Sequence, residues 1–296
     1  MNRLFVQPFQ GRVGLICSFF CSVRTRHLLG KFNQLSRLSL LQWPAFLRGW
    51  LTRRKTHTVP CVLPRARRLV RVPEREFHDT YSFFSEARQG IEELDYFVAR
   101  LRSGDVVYDI GAFRGAYGVA SKAAFGESVA VHLFEPILDN FVAIRLIGQI
   151  NGFENFYSIN QALGSGKPVY GRKDQRDQML RHVAASGDSE VTELPSTSVD
   201  EYAATSGTTP SVLKIDVEGF ELDVLAGAER CLRVHRPKIW LELHPNILAE
   251  QGSSWEEALE FLKARGYEPI CFKDHKLPER DLGFHVWAEC KSGSLS

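Results

Sequence analysis

From residue 74 onward, two hydrophobic spacings alternate along the chain. Short apolar runs at residues 106–110 (VVYDI), 128–134, 156–163, 212–217 and 237–243 are bounded by Gly, Asp, Ser or Pro. Runs of this length and near-continuous apolarity predict strands buried on both faces. Between them, residues 91–102 (IEELDYFVARLR), 116–125 (AYGVASKAAF), 139–150, 199–204, 218–232 and 255–265 carry apolar side chains at helical intervals. Ser103-Gly104-Asp105 punctuates the first of these helices and Gly266 the last. Two further strand-like runs follow, at 269–272 and 283–290. Residues 164–192 show no clear period and predict either a long loop or an excursion of short strands. Repeated β-α-β units imply an α/β fold with a doubly wound, mostly parallel sheet.

Length and charge refine this picture. A chain of 296 residues with 44% hydrophobic side chains can bury a large core, and the pattern places that core in residues 74–296. Residues 1–73 hold 14 Lys and Arg and no Asp or Glu. Of the 37 Lys and Arg in the whole chain, 23 therefore remain in residues 74–296 against 35 acids, a net charge of −12. The first 73 residues are expected to be an extension: a disordered basic arm, a targeting segment or a membrane-surface arm that makes peripheral membrane contact. Its longest apolar run, near residues 13–23, is too short to span a bilayer. An acidic body argues against a nucleic-acid substrate, which would call for clustered Lys and Arg. Cys17, Cys21, Cys61, Cys231, Cys271 and Cys290 form no C-x-x-C pair, so a reducing compartment is the default. The expected location is cytoplasmic, with organelle targeting through the arm as the alternative.

The chemistry concentrates in two segments, VVYDIGAFRGAYG at 106–118 and LKIDVEG at 213–219. The first runs from a strand into a glycine-punctuated turn and then a helix, an arrangement that offers free N–H groups to a nucleotide-type cofactor. Asp109 stands where a dinucleotide-binding turn has its first glycine. A carboxylate there would repel a pyrophosphate and attract a cofactor carrying ammonium and sulfonium centres. Glu135 ends the next strand, 24 residues after Gly111, a spacing suited to accepting hydrogen bonds from ribose hydroxyls. His132, inside an apolar run, reads as a core histidine.

These residues resemble the FkbM-type methyltransferases, a family of S-adenosylmethionine-dependent enzymes. The likeness runs through Val107-Tyr108-Asp109-Ile110-Gly111-Ala112, Phe134-Glu135-Pro136, Ala162-Leu163-Gly164, Leu213-Lys214-Ile215-Asp216-Val217-Glu218-Gly219, Glu221, Leu225, Gly227-Ala228 and Trp240-Leu241-Glu242-Leu243-His244. It implies a Rossmann-like methyltransferase fold with an antiparallel last strand. The family turn usually reads Gly-Ala-Asn-x-Gly; here Phe113 and Arg114 occupy its middle.

By this resemblance Asp109, Gly111, Ala112 and Gly115 hold the methionine part of S-adenosylmethionine, Glu135 its ribose, and Gln161 and Ala162 lie by the adenine. Asp216 and Glu218 fall near the sulfonium and are the candidate catalytic bases, with His244 as an alternative. Glu218 has a second reading, as a cap of the following helix. Asp216, Glu218, Glu242 and His244 end neighbouring strands and could converge on a divalent ion, but no spacing rule fixes distances between separate strands and no metal ligand is assigned. The expected activity is O-methylation of a small-molecule or saccharide hydroxyl. A non-catalytic cofactor-binding adaptor is the alternative; a nicotinamide-dependent oxidoreductase is disfavoured by Asp109.

Overall fold

The computed structural model describes residues 57–173, 180–182, 191–272 and 283–290, with Gln34 and Trp43 as isolated positions. Apart from those two, the basic extension up to residue 56, with Cys17 and Cys21, lies outside the described residues, as does part of 164–192. Among the described residues, no helix is long and apolar enough to cross a membrane.

Fourteen strands occur among the described residues: β1 (Thr58–Cys61), β2 (Val70–Pro73), β3 (Val106–Ile110), β4 (Ala130–Phe134), β5 (Phe156–Ile159), β6 (Ala162–Leu163), β7 (Val169–Lys173), β8 (Leu180–His182), β9 (Val191–Leu194), β10 (Ser196–Thr197), β11 (Val212–Ile215), β12 (Lys238–Leu243), β13 (Tyr267–Cys271) and β14 (Phe284–Cys290). Seven form the central sheet in the order β13-β14-β12-β11-β3-β4-β5. The five from β12 to β5 run parallel, and β14 is antiparallel to both of its neighbours. The expected doubly wound, mostly parallel sheet with an antiparallel last strand is therefore present.

Alternation along the strands sends side chains to two cores. Val107, Val131, Leu133 and Trp240 pack on one face beneath helices Arg88–Val98, Ala116–Phe125 and Leu138–Asn151. Tyr108, Ile110, Leu213, Ile215 and Leu241 pack on the other, beneath Val199–Ser206, Glu221–Ala226 and Trp255–Lys263. His132 belongs to this packing: it is buried, its Nδ1 lies 2.9 Å from the Tyr202 hydroxyl, and burial pulls its pKa down to about 4, leaving a neutral core imidazole.

Three expectations are corrected, and one open alternative is decided. The strand predicted over 156–163 breaks, because Asn160 Nδ2 turns back to donate to the carbonyls of Glu135 and Pro136 (2.9 Å each) and β6 leaves the sheet to pair with β10. The helix predicted over 218–232 begins only at Glu221, since Glu218 (φ 51°) and Gly219 (φ 96°) are left-handed and cannot be helical. Of the two readings of 164–192, the excursion of short strands is the one found: β7 pairs antiparallel with β8 and β9 among the described residues. Finally, the folded body does not begin at 74. β1 and β2 form an antiparallel hairpin that buries Val59, Cys61, Leu63, Val70 and Val72 in the first core. Gln34 is buried against this hairpin: Val62 N donates to its Oε1 (3.1 Å) and its Nε2 donates to Glu86 (3.1 Å).

The hairpin's apolar side chains each stabilise the fold by about 1.5–3 kcal/mol, so together they match the whole folding free energy of a typical domain. A chain shortened to begin at Glu74 is expected to lose its cooperative thermal transition, whereas one beginning at His57 retains it. Equal melting curves for the two would show that the hairpin is dispensable.

Candidate active site

The carboxyl ends of β3 and β11 are drawn together by one buried ammonium. Lys214 lies in register beside Asp109 on the neighbouring strand, and both are almost fully enclosed. Its Nζ donates to the Gly111 carbonyl (2.8 Å) and to Asp216 Oδ2 (3.2 Å), and stands 3.4 Å from Asp109 Oδ1. Burial alone would strip the proton from this amine, but the carboxylates of Asp216 and Asp109 hold its pKa above the ordinary lysine value. Asp109 therefore serves inside the fold. It is 0% exposed and is not among the residues that line the cleft described below; its Oδ2 accepts the Gly118 N–H (3.2 Å), which steadies the start of helix Ala116–Phe125. The cation that Asp109 faces in the structure is Lys214.

Gly111 is required by a neighbouring strand. A Cβ there would sit 1.7 Å from the Asp216 carbonyl oxygen, and its φ of 72° is itself one that glycine favours. Gly227 plays the same part on the opposite face, where a Cβ would stand 1.9 Å from the Gly164 carbonyl oxygen. Ala112 and Gly115 are turned away from the cleft. Ala112 is buried with its N–H on the Phe134 carbonyl (3.0 Å), and Gly115 sits at the helix N-cap with its α-carbon toward Leu133 and Ile144.

A cleft of about 730 Å³ opens above these strand ends. Of the predicted residues, Gly111, Glu135, Gln161, Ala162, Asp216 and Glu218 line it, and Ile110, Phe113, Phe134, Ile137, Leu163 and Val217 add apolar wall. Glu135 is the buried polar group at its edge. Oε2 accepts the Phe113 N–H (2.8 Å), and Oε1 accepts the Ile137 N–H (2.9 Å) and Asn140 Nδ2 (3.3 Å). Burial raises its pKa from the carboxylate range to about 7. Phe113 adopts φ 49°, a left-handed conformation that asparagine accepts more readily than phenylalanine. The Glu135 bond pins that backbone in place. Arg114 lies neither at the cleft nor at the surface: it is 2% exposed, with Nη1 3.1 Å from Glu76, while Tyr81 donates to its carbonyl (2.9 Å).

Beside the cleft, β11 and β12 bring three predicted residues and Glu242 together. His244 Nε2 stands 3.6 Å from Glu218 Oε2, 3.7 Å from Glu242 Oε1 and 4.0 Å from Asp216 Oδ1. On its other side, Nδ1 is 2.9 Å from Glu221 Oε1, which also accepts the Gly219 N–H (3.0 Å). Burial disfavours a charged imidazole, but the bond to Glu221 and the charges of Glu218, Asp216 and Glu242 outweigh it and push the pKa up to about 9. Glu218 is raised by burial, and no side-chain bond from it caps the following helix, so the capping reading is set aside.

The network continues beyond the residues that sequence patterns point to. His285 Nε2 bridges Glu242 (3.1 Å) and Glu93 (3.3 Å), and the Tyr117 hydroxyl donates to Glu93. Glu93 and His285 carry no sequence signal, because they come from a helix and a strand distant in the chain. Glu221 stands within the E-x-x-x-L-x-G-A pattern, where its position alone gave no role.

The family model of the methyltransferase FkbM domain matches residues 109–269. Among solved structures the chain is similar to a precorrin-6y C5,15-methyltransferase from Geobacter metallireducens, at 16% identity and a TM-score of 0.43, covering 68% of this chain and 89% of that one. It is also similar to methyltransferase FkbM from Methylobacillus flagellatus, at 16% identity and a TM-score of 0.45, covering 72% of this chain and 54% of that one. A putative methyltransferase from Streptococcus mutans in complex with SAH matches at 9% identity and a TM-score of 0.43, covering 67% and 94%. At such TM-scores these likenesses do not bear on what the chain does. No curated protein matches it.

Two outcomes follow from the buried charges. Replacing Lys214 by Met leaves Asp109 enclosed without its cation and is expected to cost about 3–5 kcal/mol of stability by denaturant titration; an unchanged midpoint would deny the ammonium its structural role. Glu135 has a folded pKa above its unfolded one, so the folded chain keeps a proton that the unfolded chain releases, and this group's stabilisation is lost as pH rises through about 7. Glu135→Gln is expected to gain stability relative to the parent, on the order of 2–3 kcal/mol, between about pH 5 and about pH 8. A difference that stays constant across that range would contradict the shift.

Proposed function

Because the chain belongs to the FkbM methyltransferase family, whose cofactor is S-adenosylmethionine, we propose that this methyltransferase acts on a hydroxyl of a small molecule or saccharide. The cleft's donor set fits the cofactor. Glu135 retains lone pairs for ribose hydroxyls beyond the backbone bonds it accepts, and Ile110, Phe134, Ile137 and Leu163 offer an apolar bed for a purine beside Gln161 and Ala162. When bound, S-adenosylmethionine supplies an electrophilic methyl group on a sulfonium.

The observation that carries the reading is the state of Glu218. It lines the cleft in a left-handed backbone conformation (φ 51°), a strain of the kind that collects at functional sites, and its carboxylate accepts no short hydrogen bond in the network described above. Asp216 is tied to Lys214, and His244 is held through Nδ1 by Glu221. Glu218 is thus the group free to take the acceptor hydroxyl's proton as the new C–O bond forms and the S–C bond breaks. Asp216 and Glu242 align the acceptor by accepting hydrogen bonds from neighbouring hydroxyls. A site ringed by carboxylates suits a neutral, hydroxyl-rich acceptor and repels a phosphate backbone.

Glu135→Ala is expected to weaken binding of S-adenosylhomocysteine by about 1–3 kcal/mol in calorimetry, the scale of a lost charged hydrogen-bond pair. Glu218→Gln is expected to keep that binding while turnover falls about 10²- to 10⁴-fold. The acceptor class is tested by following S-adenosylhomocysteine release with panels of saccharides, phenols and RNA. Methylation of RNA with none of the hydroxyl panel would overturn the proposal.

A further inference from the structure

Four donor atoms on two adjacent strand ends face one another beside the cleft, in a geometry that hydrogen bonding does not account for. The distances from His244 Nε2 to Glu218 Oε2, Glu242 Oε1 and Asp216 Oδ1, 3.6–4.0 Å, are all too long for hydrogen bonds. They do match the roughly 3–4 Å that separates neighbouring ligands around a cation held at about 2.1 Å. Asp216, Glu218 and His244 each offer a donor atom, all within 4.8 Å of one another.

Three further features point to the same spot. The imidazole is oriented from behind by Glu221, fully buried and fixed in turn by the Gly219 N–H, which is how a carboxylate holds a metal-bound histidine with its other nitrogen free. Acids outnumber cations, for Asp216, Glu218, Glu242 and Glu221 lie around His244, while His285 is shared between Glu242 and Glu93 and Lys214 among Asp109, Asp216 and the Gly111 carbonyl. Space is also kept open, because Gly283 reaches the cluster from the other side. A Cβ at Gly283 would lie 2.9 Å from Glu242 Oε1 and 3.3 Å from His244 Nε2, crowding both atoms from beside the gap between them.

We propose that Asp216, Glu218 and His244, with Glu242 as a fourth donor, bind a divalent cation of the Mg²⁺ and Mn²⁺ class. Three carboxylate oxygens favour hard cations, and the single imidazole favours Mn²⁺ within that class. The role in turnover rests on the function proposed above: the cation takes the acceptor's hydroxyl oxygen and makes its proton more acidic, and the proton leaves to the oxygen of Glu218 that does not bind metal.

The test uses the full chain, stripped with EDTA and titrated with Mn²⁺ while free Mn²⁺ is read by electron paramagnetic resonance. One tight equivalent per chain is expected, weakened at least tenfold in His244→Ala and in Glu242→Gln and unchanged in Glu135→Ala. Gly283→Ala keeps every ligand and crowds the gap, and is expected to weaken Mn²⁺ by a similar factor, with an unchanged circular dichroism spectrum as the check on folding. Binding of S-adenosylhomocysteine is measured on the same samples. A protein that binds the nucleoside but takes no Mn²⁺, or binds Mn²⁺ equally well as His244→Ala, overturns the cation site and leaves the methyltransferase reading intact. Mn²⁺ binding without nucleoside binding supports the cation site and overturns the assigned cofactor cleft.

Discussion

A lysine enclosed in the middle of a parallel sheet is the constraint from which the rest of this site follows. Lys214 joins the ends of β3 and β11 through the Gly111 carbonyl, Asp109 and Asp216, and each of those contacts sets something different. Through Asp109 it steadies the first turn of helix Ala116–Phe125; through Gly111 it fixes the turn at the cleft; through Asp216 it orders an acid that lines the cleft. Taking an ammonium and two carboxylates out of water costs several kcal/mol per ion, so the arrangement stands only because each charge meets its partner.

Two non-glycine residues in left-handed backbone, Phe113 and Glu218, border the cleft from opposite sides. Each is held by a neighbour that has a second task. Glu135 fixes Phe113 and presents a carboxylate to the cleft; Glu221 accepts the Gly219 N–H next to Glu218 and orients His244. The same carboxylates thus hold the backbone and set the polar groups at and beside the cleft. Arg114 and Glu76 form a further enclosed pair, through which the segment after β2 supports the cofactor turn from behind.

The strands and most helices were legible because burial on both faces of a parallel sheet leaves near-continuous apolar runs, and the helices over it keep a helical apolar stripe. The β1–β2 hairpin was not legible. Its apolar residues, Val59 through Val72, stand in a stretch free of acids, and the charge pattern of that stretch suggested an extension, whereas the tertiary core recruits them. The break at Glu218-Gly219 was hidden for a different reason: helical spacing continues through it, and only the backbone shows the turn.

At the site, the sequence by itself determined which chemistry was present: an acid near the end of the first strand of the parallel set, a glycine turn after it, an acid closing the second and an Asp-Val-Glu-Gly segment ending the fourth. It determined that Glu135, Gln161, Asp216 and Glu218 would share one edge of the sheet, because parallel strands deliver their carboxyl ends to the same side. Only the tertiary structure decided what each group faces. Asp109 points into the core toward Lys214 because side chains alternate along a strand, and the interior face was already paired there. His244 meets Glu221, and His285 meets Glu93, because separate elements close on one point in space, a distance that sequence separation does not encode.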